Sequence, residues 1–197
     1  LYAEAGGKIH LNTANNVETN GEGSHGIILT GANTRLDDTS TGGSNHNFSS
    51  TGKDSAVLYV KDNAVIDLSN SAEINVKATG NKSIGVYSDG GTIKLGTAGT
   101  GTGNYEIGEN GVLFYSDGTG TGRIETSGVN FTVGDGSLFT RLTTPVVSSI
   151  LAPGNEQIKF THTAGNTNLN LLSGGIGFVY TGDGATSVTP SLIETYF

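Results

Sequence analysis

Residues Ser83–Gly91 read SIGVYSDGG and are followed at once by a second short apolar run, TIKL, at Thr92–Leu95. Each run has the length and composition of a short β-strand, and the Asp-Gly-Gly between them is typical of a turn. The same arrangement returns as HGIILTGAN at 25–33, SAVLYVKDN at 55–63, GVLFYSDG at 111–118 and GIGFVYTGDG at 175–184. A motif that recurs about every 28 residues predicts a solenoid, because one repeat of this size buries its apolar face only by stacking on its neighbours.

Composition is consistent with a folded repeat protein. Gly, Thr, Ser and Asn make up nearly half of the 197 residues, which is a composition that disordered chains share. Leu, Ile, Val and Phe nevertheless contribute about 24% of the chain, above the roughly 20% below which disorder is expected. These apolar residues come in evenly spaced clusters of three to six, so we interpret the chain as folded.

Charge and cysteine content exclude several classes of function. The formal net charge is −8, and the sequence shows no run of five like charges and no basic stripe. Nucleic acids and anionic membranes are therefore not expected as partners, since both bind clustered Lys and Arg. The chain has no cysteine, which excludes disulfides and every Cys-ligated metal site.

The strand pattern predicts a triangular coil. Three short strands, at Ala56–Val60, Ala64–Leu68 and Ala72–Val76, are separated by short polar turns. Links this short cannot hold the crossover helix of a doubly wound α/β sheet. We therefore predict one all-β domain over residues 1–197, a right-handed parallel β-helix of about 24–30 residues per coil.

Later coils are predicted from the same pattern. The next coil is expected at Ser83–Ser88, Thr92–Leu95 and Tyr105–Ile107, with a Gly- and Thr-rich loop at Gly96–Gly103. Further strands are expected at Gly7–Asn12, Val112–Tyr115, Gly122–Glu125, Val129–Val133, Ser137–Leu142, Gln157–Thr161, Asn168–Leu172 and Ile176–Tyr180.

Four segments depart from the repeat. Asn15–Ser24 is polar and is interpreted as a turn, and Thr39–Lys53 is predicted to be a surface loop, with a poorly patterned strand about Phe48 as the alternative. Thr143–Gly154 fits either a short helix, with Pro145 at its first position, or two short strands. The C-terminal run Ser191–Phe197 is strand-like and uncapped, from which we expect the chain to be a fragment of a longer protein.

Few residues carry the pattern of a catalytic or metal site. Asp37 and Asp38 are adjacent and would point to opposite faces of a strand, so we interpret them as a solvated turn. Three further aspartates, Asp89, Asp117 and Asp183, follow equivalent runs and could bind calcium along one edge, although Asp-Gly is above all turn chemistry. The histidines lack the close spacing of metal ligands and are expected at the surface; they are His10, His25, His46 and His162. We predict no catalytic residues, no metal and no cofactor.

The tyrosines are the most informative set. Tyr59, Tyr87 and Tyr115 recur at equal intervals in the sequence, so they are expected to stack in one column, about 4.8 Å apart. If Ile84, Val86 and Ser88 face the core, then Gly85 and Tyr87 face outward. An exposed column of tyrosines is a candidate contact surface for glycans or proteins; alternatively, it only stabilises neighbouring coils or faces inward.

The style of these repeats resembles a known family. Coils of the form SIGVYSDG and NGVLFYSDG, followed by a GTIKL limb, are similar to the passenger domains of type V autotransporter adhesins, above all the very large fusobacterial outer-membrane autotransporters. The likeness is good over Ser55–Val133 and loose over Gly26–Tyr180, and the irregular 139–180 interval departs from the family pattern as an inserted subdomain would.

The resemblance implies a function as well as a fold. It implies a monomeric, non-enzymatic β-helix on the surface of a Gram-negative cell, anchored in the outer membrane by a β-barrel translocator of the same chain. The expected role is that of an adhesin or stalk, and the expected partner is a protein or glycan on another bacterium or a host cell. Two alternatives stay open, namely a β-helical polysaccharide-degrading enzyme or phage tailspike, and a passive structural spacer.

Overall fold

In the computed structural model of the protein, residues 1–96, 102–117, 121–125, 128–143, 158–161 and 166–181 are described. They form an all-β structure of nineteen strands without a helix among them. In chain order the strands are β1 (Tyr2–Ala3), β2 (Lys8–Leu11), β3 (Asn15–Thr19), β4 (Ile27–Thr30), β5 (Arg35–Asp38), β6 (Asn45–Ser50), β7 (Ala56–Lys61), β8 (Val65–Leu68), β9 (Glu73–Ala78), β10 (Ile84–Asp89), β11 (Thr92–Leu95), β12 (Gly103–Ile107), β13 (Val112–Asp117), β14 (Thr121–Glu125), β15 (Val129–Val133), β16 (Leu138–Thr143), β17 (Ile158–Thr161), β18 (Asn168–Leu171) and β19 (Ile176–Thr181).

Every third strand joins the same sheet. The first sheet has the order β1-β4-β7-β10-β13-β16-β19, the second β17-β14-β11-β8-β5-β2 and the third β18-β15-β12-β9-β6-β3. All strand pairs within these sheets are parallel, as in β10 with β13 and β11 with β8. Each coil thus contributes one strand to each of three sheets, and the predicted parallel β-helix is confirmed.

The register of neighbouring coils follows the repeat, but the coil length varies. Tyr87 pairs with Tyr59 on one side and with Tyr115 on the other, which keeps the interval seen in the sequence. Further along the first sheet, the sequence interval between paired residues changes. It is slightly shorter between Tyr115 and Arg141, and much longer between Arg141 and Val179. This last coil is therefore longer than any that we predicted.

One apolar core runs through the described coils. Its members are almost completely buried and come from all three sheets, as Leu58, Ile66 and Ile74 show within a single coil. Towards the later coils the core becomes aromatic, because Tyr105, Phe114, Phe131 and Phe139 pack together with ring centroids 5.1–5.9 Å apart. Edge-to-face packing of such rings adds to the stabilisation that their burial provides.

The turn between the third sheet and the first depends on stacked glycines. Gly52 and Gly80 occupy the same corner of successive coils, and a Cβ built on Gly80 would lie 1.9 Å from the Gly52 carbonyl oxygen. Shortly after each of these glycines a buried serine faces the corner, and both Ser55 and Ser83 donate to the Gly52 carbonyl, over 2.7 and 2.8 Å. The corner accepts only a residue without a side chain, which explains the repeated Gly-x-x-Ser pattern.

Two segments that we interpreted as turns or loops contain strands. Asn15–Ser24 includes β3, and Thr39–Lys53 includes β6, with its Phe48 only 1% exposed. The surface-loop prediction for 39–53 is therefore wrong for 45–50, and the alternative strand about Phe48 is confirmed. Residues 144–157, which include most of the Thr143–Gly154 segment, lie outside the described residues, as do 182–197.

The predicted facing of SIGVYSDGG is correct in part. Val86 and Ser88 are buried and Tyr87 faces outward, as expected. Gly85 is buried rather than outward-facing, and Ile84 is only partly buried. The reason is a break in the alternation, since the ladder pairs Ile84 with Val112 and then Val86 with Phe114, passing over Gly85. Two successive residues at this bend face the core.

This register makes a sharp prediction about Val86. Val86→Asp places an unpaired carboxylate between coils, so we expect a loss of more than about 4 kcal/mol of unfolding free energy and cooperative unfolding of neighbouring coils. Ile84→Asp, on the same strand but partly exposed, is the matched control and is expected to lower the melting temperature far less. Thermal unfolding followed by circular dichroism measures both, and equal effects of the two substitutions would contradict the register.

Candidate binding surface

The tyrosine column lies on the outer face of the first sheet. Tyr59 on β7, Tyr87 on β10 and Tyr115 on β13 are half-buried, and their rings stack nearly parallel. The ring centroids are 4.6 and 4.7 Å apart, with interplanar angles of 5° and 4°. The predicted stacking of these three residues is therefore confirmed.

Both ends of the tyrosine column are covered. The His25 ring packs edge-on to Tyr59 with centroids 6.3 Å apart, and the Arg141 guanidinium carbon lies 5.4 Å from the Tyr115 ring centroid. Because each central ring face is also covered by its neighbour, the faces on which a sugar ring would stack are occupied. What the column offers to a partner is ring edges and hydroxyl groups.

Burial and nearby carboxylates favour the protonated hydroxyls of Tyr59 and Tyr87. Burial raises the pKa of Tyr87, and the negative charge of Asp89 on the same strand raises it further. The pKa of Tyr59 is raised for the same two reasons, chiefly by burial. The hydroxyl of Tyr115 accepts a hydrogen bond of 3.0 Å from the Thr143 hydroxyl. The column thus presents its hydroxyl groups beside a row that contains Lys61, Asp89 and Asp117.

The second sheet carries a network of ion pairs on its outer face. Arg35 contacts the Asp37 carboxylate, and its Nη2 lies 3.1 Å from Oδ2 of Asp67. Lys94 approaches the same Asp67 oxygen at 3.3 Å. Burial would raise the pKa of Asp67, but hydrogen bonds from Ser69 and the positive charge of Lys94 outweigh it and hold the pKa below its ordinary value. The Asp67 carboxylate is thus held ionised, and Arg35 and Lys94 offset its charge.

A buried polar cluster joins the second and third sheets. Asp38 at the end of β5 lies 3.0 Å from Nε2 of His46 on β6, and both side chains are fully buried. Ser71 donates to Asp38 over 2.9 Å, and Ser40 donates through its hydroxyl and its backbone N–H over 2.5 and 2.8 Å. The interpretation of Asp38 as a solvated turn residue and of His46 as a surface histidine is therefore wrong.

The cluster lacks the geometry of a catalytic triad. A nucleophilic serine must bond one imidazole nitrogen while the aspartate bonds the other. Here Ser71 donates to Asp38 itself, and the second ring nitrogen of His46, Nδ1, is buried without a hydrogen-bond partner. Asp38 and its partners link β5, β6 and the turn after β8, so the arrangement ties two coils together.

An asparagine ladder runs along the outer face of the third sheet. Asn16, Asn47, Asn75, Asn104, Asn130 and Asn168 occupy one register position on the six strands of this sheet. From Asn75 onward, each amide nitrogen donates to the side-chain oxygen one coil before it, over 2.9, 3.1, 3.1 and 2.8 Å. We did not predict this ladder, and the recurrence of Asn once per coil is the only signal in the sequence that could have revealed it.

The described residues include no candidate metal centre. Among them, no group of three or more His, Asp or Glu side chains could hold an ion. Asp89 and Asp117 do pair in register on β10 and β13, whereas Asp183 lies outside the described residues. His162 is outside them as well.

Among the described residues, no helix has the length and apolar character that crossing a membrane requires.

Comparison of the chain with known protein families, with characterised proteins and with solved structures found no match.

The buried cluster predicts a dependence of stability on pH. Burial alone would raise the pKa of Asp38, but hydrogen bonds from Ser40, His46 and Ser71 lower it from 3.8 to about 2. A folded-state pKa below the unfolded one stabilises the protein above about pH 4, and this stabilisation is lost as the pH falls towards about 2. We expect the melting temperature to fall across this interval, and to fall less in Asp38→Asn. Asp135→Asn, at an exposed turn, is the control and should keep the pH profile of the wild type.

A second prediction separates the two roles of Tyr87. Tyr87→Phe keeps both stacking contacts and should leave the melting temperature nearly unchanged. Tyr87→Ala removes contacts with two rings, each contributing about 0.5–1.5 kcal/mol beyond burial, so we expect a loss of about 1–3 kcal/mol of unfolding free energy in denaturant titrations. Destabilisation by Tyr87→Phe to the same extent would show that the hydroxyl, and not the stacking, holds the column together.

Proposed function

We propose that this chain is a segment of a bacterial surface adhesin of the autotransporter passenger type, which holds and presents contact surfaces along a β-helical stalk. The observation that supports this proposal is the arrangement of outward-facing side chains in regular columns. Tyr59, Tyr87 and Tyr115 form one column on the first sheet, and six asparagines form another on the third. Such surfaces present the same group once per coil, which suits a repetitive or extended partner.

The polysaccharide-degrading alternative receives less support. A glycosidase needs one carboxylic acid with a raised pKa beside a second carboxylate. The acidic pair nearest to this requirement is Asp37 and Asp67, which share Arg35, but the pKa of Asp67 is lowered rather than raised. Both carboxylates also lie on the outer face of a sheet, on strands β5 and β8.

The passive-spacer alternative has one observation in its favour. The stacked tyrosines cover one another's ring faces, with His25 and Arg141 at the ends. This is the arrangement expected of a column that stabilises neighbouring coils. The spacer and the adhesin therefore differ in whether the isolated segment attaches to cells at all.

An attachment assay tests the proposal. Beads coated with the folded chain should adhere to bacterial or host cells well above beads coated with the Val86→Asp variant, which keeps the composition and loses the fold. Adhesion that is equal for the two proteins would contradict the adhesin proposal and favour the spacer. Release of reducing ends from polysaccharides by the folded chain would instead favour the enzyme.

A further inference from the structure

The asparagine ladder differs from an ordinary structural ladder because it is exposed. Asn16, Asn47, Asn104, Asn130 and Asn168 are open to solvent, and only Asn75 is half-buried. At an exposed position water competes for every hydrogen bond, so a ladder there contributes little to stability. The neighbouring outward column on the same strands varies from coil to coil and holds Glu18, Ser49, Lys77, Glu106, Thr132 and Asn170. Asn recurs in one column while the neighbouring column varies, which indicates that the Asn side chain itself is needed at this position.

The ladder leaves a defined set of donors and acceptors unused. A side-chain amide has two N–H donors and an oxygen with two lone pairs. Asn104 and Asn130 each use one N–H towards the preceding coil and accept one bond from the following coil. One N–H and one lone pair remain on each of them, side by side and facing solvent. Asn75 is different, because Glu73 and the Asn104 backbone N–H take its remaining capacity.

The spacing of this array suits an extended polymer. Neighbouring strands lie about 4.8 Å apart, so the six asparagines cover about 24 Å along the axis of the solenoid. A sugar ring linked through its 1 and 4 positions advances an extended chain by close to one coil spacing. Successive rings of a β-1,4-linked chain are turned over relative to one another. Each ring therefore meets one asparagine, with the substituent at carbon 2 reaching every second asparagine and ring hydroxyls reaching those between.

The side chains on the outer face of the third sheet also indicate the chemical class of the ligand. An acetamido group carries one N–H and one carbonyl oxygen, which complement the spare lone pair and the spare N–H of an asparagine. Glu73 hydrogen-bonds Asn75 directly, and Glu106 lies in the neighbouring column, where Lys77 approaches it at 2.9 Å. With a net charge of −8 over the chain, these carboxylates disfavour polyanionic chains.

We infer that the outer face of the third sheet binds a neutral, acetamido-bearing polysaccharide that lies along the solenoid axis on Asn16, Asn47, Asn104, Asn130 and Asn168. This inference rests on the proposed adhesin function and assigns to it a contact surface and a ligand class. Asn75 contributes by orienting its neighbours, since its own hydrogen-bonding capacity is used within the protein.

Binding of chitin oligosaccharides to the purified chain, measured by titration calorimetry, tests the inference. The association constant should rise with each sugar from the monosaccharide to about six sugars and then level off, because the asparagine column spans five coil spacings. The double variant Asn104→Ala and Asn130→Ala should weaken pentasaccharide binding by about tenfold or more, the effect of two lost hydrogen bonds. The matched control is Glu106→Ala with Thr132→Ala, which changes the same two strands on the same face and should change binding less than about threefold.

Several results would overturn the inference. They are binding that does not depend on oligosaccharide length, equal loss in the two double variants, and tighter binding of an alginate oligosaccharide than of the chitin pentasaccharide. The length series uses the unmodified chain, so it remains decisive if a variant fails to fold. Adhesion of chain-coated beads to cells without any binding of chitin oligosaccharides would leave the adhesin proposal standing and reject only this ligand. Absence of both would reject the two together.

Discussion

Parallel stacking of coils is the constraint on which the rest of this structure depends. Every strand is hydrogen-bonded to the equivalent strand one coil away, as β10 is to β7 and β13. Each side chain therefore lies about 4.8 Å from its counterparts in the neighbouring coils. A residue at any position must tolerate close contact with the residues at the equivalent position of the neighbouring coils, and where a repeat recurs these are residues of the same kind. Aromatic rings, amides, hydroxyls and glycines meet this condition well, and like charges do not.

The ways in which individual columns meet this condition explain much of the sequence. Tyrosines stack on the first sheet, asparagines bond head to tail on the third, and glycines allow backbones to approach at the corners. Asp37 and Asp67 bring two carboxylates together, and Arg35 lies between them to offset their repulsion. Inside the solenoid, the carboxylate of Asp38 is tolerated because His46, Ser71 and Ser40 all bond it. Each of these columns, by its own chemistry, allows equivalent side chains to lie one coil apart.

The sequence allowed prediction of the features that depend on apolar residues. The clusters around Tyr59, Tyr87 and Tyr115 are dense enough to reveal the period, the three strands per coil and the stacking of the tyrosines. The strand β6 was only our alternative for Thr39–Lys53, because its buried residues include His46 and Ser50, whose burial depends on partners elsewhere in the chain. The inward position of Gly85 was not predicted because Gly85 and Val86 are both buried, which breaks the simple alternation that we assumed.

The asparagine ladder shows that the candidate site, too, could not be predicted from the sequence pattern alone. Asn is abundant throughout the chain, and the spacing between successive members of the ladder changes with the length of each coil. Only the strand register, which the apolar neighbours Phe48, Val76, Tyr105 and Phe131 determine, brings the asparagines into line. The tyrosines, which are conspicuous in the sequence, have their ring faces covered, whereas the less conspicuous amides keep free donors and acceptors. In a solenoid of this kind, the residues that reveal the fold are those that satisfy one another, and a partner is best sought among the columns whose bonding capacity remains unused.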